Sequence, residues 1–295
     1  MLRHLALVFI VVMAAVLFAA VVWLLAGGLA ESQRAGSAPP LRLTALDAMA
    51  TPSPGRVRGA AVLEDVARGR RVRRVALYFR FDDGYVGAGW VNAEGVVACL
   101  RRGGQSEGRH PYEVFVSELS PEVGLCASAT VWVVAPETAV LWVDAAAVAA
   151  PRQAARGGEQ GRTAVGGRAS AETPPDTLRA LQTLASGRQL VYLVVADLGS
   201  YAEARERLTD GGVPAGPAVW IEPGTEQKSL GGLARTWPNI AGAVVCSEGL
   251  AEAVKAVGPE AFLVRPAAGA GAAPKGPVGS WDDVARRLGA SGAGG

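Results

Sequence analysis

The chain has 295 residues, 50% of them apolar and 19% charged, which leaves room for one to three domains at about 100–150 residues each. Its 29 basic and 27 acidic residues give a net charge of +2 without any dense basic tract, so the field that a nucleic-acid binder needs is absent. Two histidines, His4 and His110, and three separated cysteines, Cys99, Cys126 and Cys246, exclude His-rich catalytic sites, Cys/His zinc sites and a disulfide-dense scaffold.

After a flank of residues 1–4, Leu5 to Ala30 is uncharged throughout and almost purely apolar as far as Ala26. About 20 helical residues at 1.5 Å each cross a hydrocarbon core of about 30 Å, so residues 5–30 are expected to form a transmembrane helix. A cleaved signal has a shorter apolar region of about 7–15 residues, although Ala26-Gly27-Gly28 offers a processing site. Arg3 on the preceding flank predicts a single-pass protein with its N-terminus in the cytoplasm and its bulk outside, with the membrane as a partner. Residues 31–58, rich in Ser, Pro, Ala and Gly, read as a linker.

Residues 59–136 have a period of two. Val75, Leu77, Phe79 and Phe81 alternate with Ala76, Tyr78 and Arg80, and Tyr112, Val114 and Val116 alternate with Glu113 and Phe115. With turn clusters at Asp82-Asp83-Gly84, Asn92 to Gly95 and Arg102 to Gly104, the pattern predicts a small antiparallel β-sandwich. Asp82 and Asp83 read as a solvated hairpin turn rather than a calcium pair, since a calcium cage needs six to eight oxygens. Cys99 and Cys126 both fall here, and sequence alone leaves open whether they pair.

From Ala139 the period changes. Strand-like runs at 139–143, 190–196, 218–221, 243–246 and 262–264 alternate with helix-like runs at 177–186, 201–210, 226–236 and 248–257. Such alternation predicts a parallel sheet covered on both faces, an α/β domain over 137–266 with a flexible insertion at 151–175. Ser200 with Glu203 has the spacing of a capping box, Gly211 suits a helix end, Ser247 suits an N-cap and Gly258 a second helix end. The tail, 267–295, is Ala/Gly-rich with a short helix from Trp281 to Leu288, opened by Ser280 and Asp283. Trp132, Trp142 and Trp220 read as core.

In an open α/β sheet the binding crevice lies beyond the carboxyl ends of the strands, here Asp144, Asp197, Glu222 to Lys228, Cys246 to Glu248, and Arg265. No G-x-G-x-x-G, P-loop or G-x-S-x-G motif follows these strands, and neither histidine lies in this domain, which disfavours dinucleotide binding, P-loop chemistry and a Ser-His-Asp hydrolase. Cys246 reads as a buried apolar residue, Asp197 as a loop residue, and Asp144 equally as a turn-capping Asp or a binding group.

The stretch AVLWVDAAAV, with LVYLVVADLGSYAEARERLTDGGVPAGPAVWI, GTEQKSL and GAVVCSEGLAEAVKAVG, resembles the haloacid dehalogenase-like (HAD) superfamily over about 139–266. The resemblance implies a HAD/Rossmann-like fold, with Asp144 in the nucleophile place and Lys228 as the phosphate-orienting lysine. It also shows emptied motifs. Ala146 stands for the general acid, Val148 for a Thr, Val194 or Val195 for a Ser or Thr, and Cys246 or Ser247 for a metal-binding Asp. Phosphoryl transfer is mostly positioning and charge neutralisation, so these losses imply a catalytically degenerate domain that needs no cofactor. Asp144, Lys228, Ser247 and Glu248 remain as binding candidates. More weakly, GWVNAEGVVACL resembles a corner of immunoglobulin-like and carboxypeptidase-regulatory-like β domains.

The sequence therefore leads to a membrane-anchored, HAD-like pseudo-phosphatase that binds an unidentified protein or small molecule, and not nucleic acid. Two other readings remain: a hydrolase using Asp144 with Mg²⁺ on Glu248 and Glu252, and a protein whose β domain is itself a ligand-binding or adhesion module.

Overall fold

The computed structural model describes residues 41–52, 56–72, 75–90, 95–102, 105–116, 125–148, 173–265 and 279–291. Nine strands come first: β1 (Leu41–Leu46), β2 (Ala48–Ala50), β3 (Arg56–Asp65), β4 (Arg70–Arg71), β5 (Ala76–Phe81), β6 (Val86–Trp90), β7 (Val96–Arg102), β8 (Gly108–Val116) and β9 (Cys126–Val133). One sheet joins β3 to β1, β4 and β7; the other has the order β2-β9-β8-β5-β6. Their inner faces meet on Leu77, Phe79, Phe81, Tyr112, Val114 and Val131, the inward half of the two-residue period. On β6 the inward positions are Gly87 and Gly89. A Cβ on Gly87 would meet Cys99 Sγ at 2.2 Å, and one on Gly89 would meet Val97 Cγ2 at 2.8 Å, so glycine is what admits the facing strand.

The strands begin earlier than the sequence suggests. Part of the tract read as a linker is β1 and β2, and β1 supplies Leu43 and Ala45 to the sandwich core. Cys99 points into that core while Cys126 is exposed, and both thiols are free.

Five further strands and six helices follow: β10 (Val140–Asp144), α1 (Ala145–Val148), α2 (Pro175–Ala185), β11 (Gln189–Val195), α3 (Leu198–Asp210), β12 (Ala218–Ile221), α4 (Glu226–Thr236), β13 (Ile240–Val245), α5 (Glu248–Ala256), β14 (Ala261–Leu263) and α6 (Trp281–Ser291). The strands form one parallel sheet in the order β12-β11-β10-β13-β14, which is consistent with a Rossmann/HAD-like topology. Every residue of β10 is buried, as expected of a central strand covered on both faces. Leu141 and Val143 pack with Leu181 and Leu184 of α2, Tyr201 of α3 and Leu288 of α6. Val140 and Trp142 pack on the other face with Leu230 of α4 and Leu250 and Val254 of α5.

Helix ends show how local chemistry sets the boundaries. The cap of α3 is Asp197, not Ser200: its carboxylate accepts from Ser200 N–H at 2.9 Å and from Ser200 Oγ–H at 2.9 Å, so the helix opens at Leu198. These bonds hold the Asp197 carboxyl below the usual range. The same helix ends on Gly211 at ordinary φ, and it is Gly212 that turns left-handed (φ +67°). Ser247 caps α5 as expected, and Ser280 with Asp283 forms the expected capping box of α6, which runs on to Ser291.

By compactness, residues 43–63 and the described residues from 72 onward form one unit that holds both the sandwich and the α/β layers, whereas residues 64–71 belong to a smaller unit. In that smaller unit Glu64 and Asp65 pair with Arg71 and Arg70 across a turn containing left-handed Gly69, and Asp65 Oδ1 accepts from Arg68 N–H at 3.1 Å. Inside the larger unit the core is continuous: Leu46 and Val62 pack with the α2 side of the parallel sheet, and Trp132 and Val134 with the α5 side. Asp47, between β1 and β2, is the polar tie. Its side chain is 6% exposed and accepts from Thr130 N–H of β9 (3.0 Å), Ala218 N–H of β12 (3.1 Å) and Arg205 Nη2 of α3 (3.0 Å). Arg205 Nη1 also donates to Ser128 O at 2.8 Å, and buried Tyr201 receives Asp47 N–H at 3.1 Å while donating to Ala218 O at 2.9 Å.

The single-pass topology, the membrane partner and the extracytoplasmic localisation expected from the sequence are corrected at this point. Among the described residues no helix is long and apolar enough to cross a membrane. The longest, α3, has 13 residues, about 20 Å at 1.5 Å each and short of the roughly 30 Å required. The stretch Leu5 to Ala30 lies outside the described residues, as does most of the 151–175 insertion.

Candidate functional site

The chain leaves β10 into α1 on one face of the sheet and leaves β13 towards α5 on the other, so the ends of these neighbouring strands diverge. A cleft of about 730 Å³ opens there, lined by Asp144, Ala146, Val195, Glu226, Cys246, Ser247 and Glu252 among others. It is the position at which an open α/β sheet places a ligand.

Asp144, the candidate nucleophile, is 5% exposed and accepts hydrogen bonds through both oxygens. Its Oδ1 accepts from Ala146 N–H at 3.0 Å; its Oδ2 accepts from Cys246 N–H at 3.2 Å and from the Cys246 thiol at 3.1 Å. Burial raises its pKa above the usual carboxylate range, opposed by those hydrogen bonds. Burial likewise pushes the Cys246 thiol far up, reinforced by the charge and hydrogen bond of Asp144, so the thiol stays protonated and donates. Asp144 thus ties the end of β10 to the end of β13.

The other sequence-predicted residues divide. Ser247 reaches the cleft rim, where its Oγ caps α5 by accepting from Leu250 N–H at 3.3 Å, and Glu252 also lines the cleft while paired with Lys255 at 2.9 Å. Lys228 is exposed on α4 and does not line it; its neighbours Glu226 and Gln227 do. Glu248 lines a separate groove with Lys255, Asp283 and Arg287. Where the HAD resemblance calls for an acid and a hydroxyl, the cleft presents Ala146 and Val195. Among the described residues there is no group of three His, Cys, Asp or Glu that could hold a metal ion, and both Asp144 oxygens accept hydrogen bonds.

The sandwich carries the features that sequence reading did not rank. On the outer face of its larger sheet Tyr78 stacks on Phe115, with ring centroids 5.6 Å apart and planes 14° from parallel. Ala88 and Cys126 flank this pair in register, and the next row is Val86, Arg80, Glu113 and Ser128, with Arg80 Nε donating to Glu113 at 3.0 Å. Tyr78 and Val86 are 36% and 51% exposed. The outward half of the two-residue period, read for apolar rather than core residues, is the signal that would have found this face. Asp82 and Asp83 lie in an exposed turn between β5 and β6, as expected, and beyond that expectation Asp82 meets His110 Nδ1 at 3.1 Å and Asp83 pairs with Arg101.

No family model matches the chain, and no curated protein matches it. Among solved structures it is similar to fibronectin(III)-like modules of Clostridium thermocellum CbhA, at 16% identity over 32% of this chain and 95% of that one, with a TM-score of 0.21. Titin M4 is similar at 12% identity over 32% of this chain and 92% of that one, with a TM-score of 0.20. A sialyltransferase from Photobacterium damsela shows 7% identity over 68% of this chain and 34% of that one, with a TM-score of 0.18. Scores this low carry no argument about activity. The expected membrane-anchored HAD-like scaffold is overturned, because the described residues hold neither a membrane-spanning helix nor a metal cluster.

Proposed function

We propose that the protein works by binding, with the β-sandwich as the part that meets its ligand and the α/β layers as a rigid support. The observation that carries this reading is where apolar surface is left open. Every large hydrophobic residue exposed among the described residues lies between Leu41 and Leu100, and none lies in the α/β layers. A contiguous apolar strip rimmed by charge is the usual mark of an interaction surface, and Tyr78, Phe115, Ala88 and Val86 beside Arg80 and Glu113 make such a strip. Two further points support the reading: Asp144 is consumed in a structural tie, and Asp47 locks the sandwich onto its support.

The test compares the immobilised full chain with Tyr78→Asp and Ser247→Ala for retention of species from its source cells, beside a phosphoester assay with Asp144→Asn. A species lost only with Tyr78→Asp supports the reading. Retention that depends on Ser247 alone, or turnover abolished by Asp144→Asn, overturns it.

A further inference from the structure

We infer that the junction of the sandwich with the α/β layers is a binding site for a small organic carboxylate, gripped by Arg109. A cleft of about 210 Å³, seven or so water volumes, lies there. One wall is the outer face of the sandwich, where Arg109 of β8 stands opposite Trp132 of β9 and its guanidinium carbon lies 4.9 Å from the indole centroid. The other wall is the segment 213–216 with Thr209. That wall is preformed: Tyr192 Oη donates to Pro214 O at 2.6 Å, and a Cβ on Gly216 would lie 2.3 Å from Leu190 O.

Two observations give the ligand its chemistry. First, the charged side chains lining the cleft are Asp47, Arg205 and Arg109; the first two neutralise each other at 3.0 Å, and Arg109 has no carboxylate partner among the described residues. One positive charge is left over, matching a monoanion. Second, the Arg109 guanidinium lies over the Trp132 indole, and the fork of N–H donors on a guanidinium suits a planar carboxylate held by two parallel hydrogen bonds. Leu208, Val213 and Pro214 offer apolar surface to a short alkyl group. The site is separate from the Tyr78 face and stands or falls independently of it.

The experiment is ligand-observed NMR titration of the full chain with sodium propionate at constant ionic strength, with sodium phosphate as a second arm. Arg109→Gln is the test variant and Arg235→Gln, an exposed arginine elsewhere, the control; melting curves show that each is folded. Saturable propionate binding, weakened at least tenfold by Arg109→Gln and unchanged by Arg235→Gln, is expected. Absence of saturation, equal binding by Arg109→Gln, or tighter binding of phosphate overturns the assignment.

Discussion

The cleft at the ends of the parallel strands and the outer face of the sandwich use polar groups in opposite ways. In the cleft, Asp144 is buried and its hydrogen bonds are all directed inward, to Ala146 and Cys246, so the strand ends are fastened rather than offered. On the sandwich face, Arg80 and Glu113 satisfy each other at the surface and leave Tyr78 and Val86 open, with Phe115 half-buried beside them. A position that the fold favours for ligands is not thereby a reactive one; what decides is whether its polar atoms still have unspent capacity.

The largest effect expected is on the tie that makes these regions one unit. Asp47→Ala leaves two backbone N–H groups and Arg205 without their acceptor, and we expect a loss of about 3–5 kcal/mol and, in urea, separate transitions where the parent chain shows one, followed by far-UV circular dichroism. A single transition of unchanged midpoint would show the coupling to be slight. Next is Gly87→Val, which drives a side chain into Cys99 and should cost about 1–3 kcal/mol, read as a lowered melting temperature, with less harm from Gly87→Ala.

The third prediction concerns pH. Because the folded-state pKa of Asp144 is raised, the native protein holds a proton that the unfolded chain has lost above the ordinary carboxylate pKa of about 4. This group therefore costs no stability below that pH, and its cost grows as pH rises towards the raised folded value. The advantage of the parent over Asp144→Asn in urea midpoint should shrink from pH 4 upward; a constant difference would sink the argument. The smallest effect is on the face itself: Tyr78→Ala in a cycle with Phe115→Ala should give a coupling of about 0.2–1 kcal/mol, so that Tyr78 can be altered for binding studies without unfolding the chain.

Much of the fold was legible. The alternation in β5 and β8 and the change of period at Ala139 are direct consequences of which side chains face the core, and Ser247 and Ser280 mark helix starts by their hydroxyls. The site was less so. Asp144 could be placed at a strand end, yet its partner Cys246 is 102 residues away, and a carboxylate that attacks looks the same in sequence as one that ties two strands. Asp47 was hidden because its acceptor role joins Thr130 and Ala218, contacts across 83 and 171 residues, while its surroundings have the composition of a linker. The position of Arg109 over Trp132 depends on the register of two strands, which alternation alone does not fix.

The Asp47–Arg205 pair has a further consequence, for the protein's behaviour in concentrated solution. Strand β2 reaches β9 only from Val131 onward, and among the described residues no other strand pairs with that edge of β9 ahead of it. Asp47 takes the N–H of Thr130 and Arg205 takes the carbonyl of Ser128, so a stray extended segment finds no template there. A chain lacking this pair should be prone to fibril growth from that edge even under conditions where most molecules stay folded.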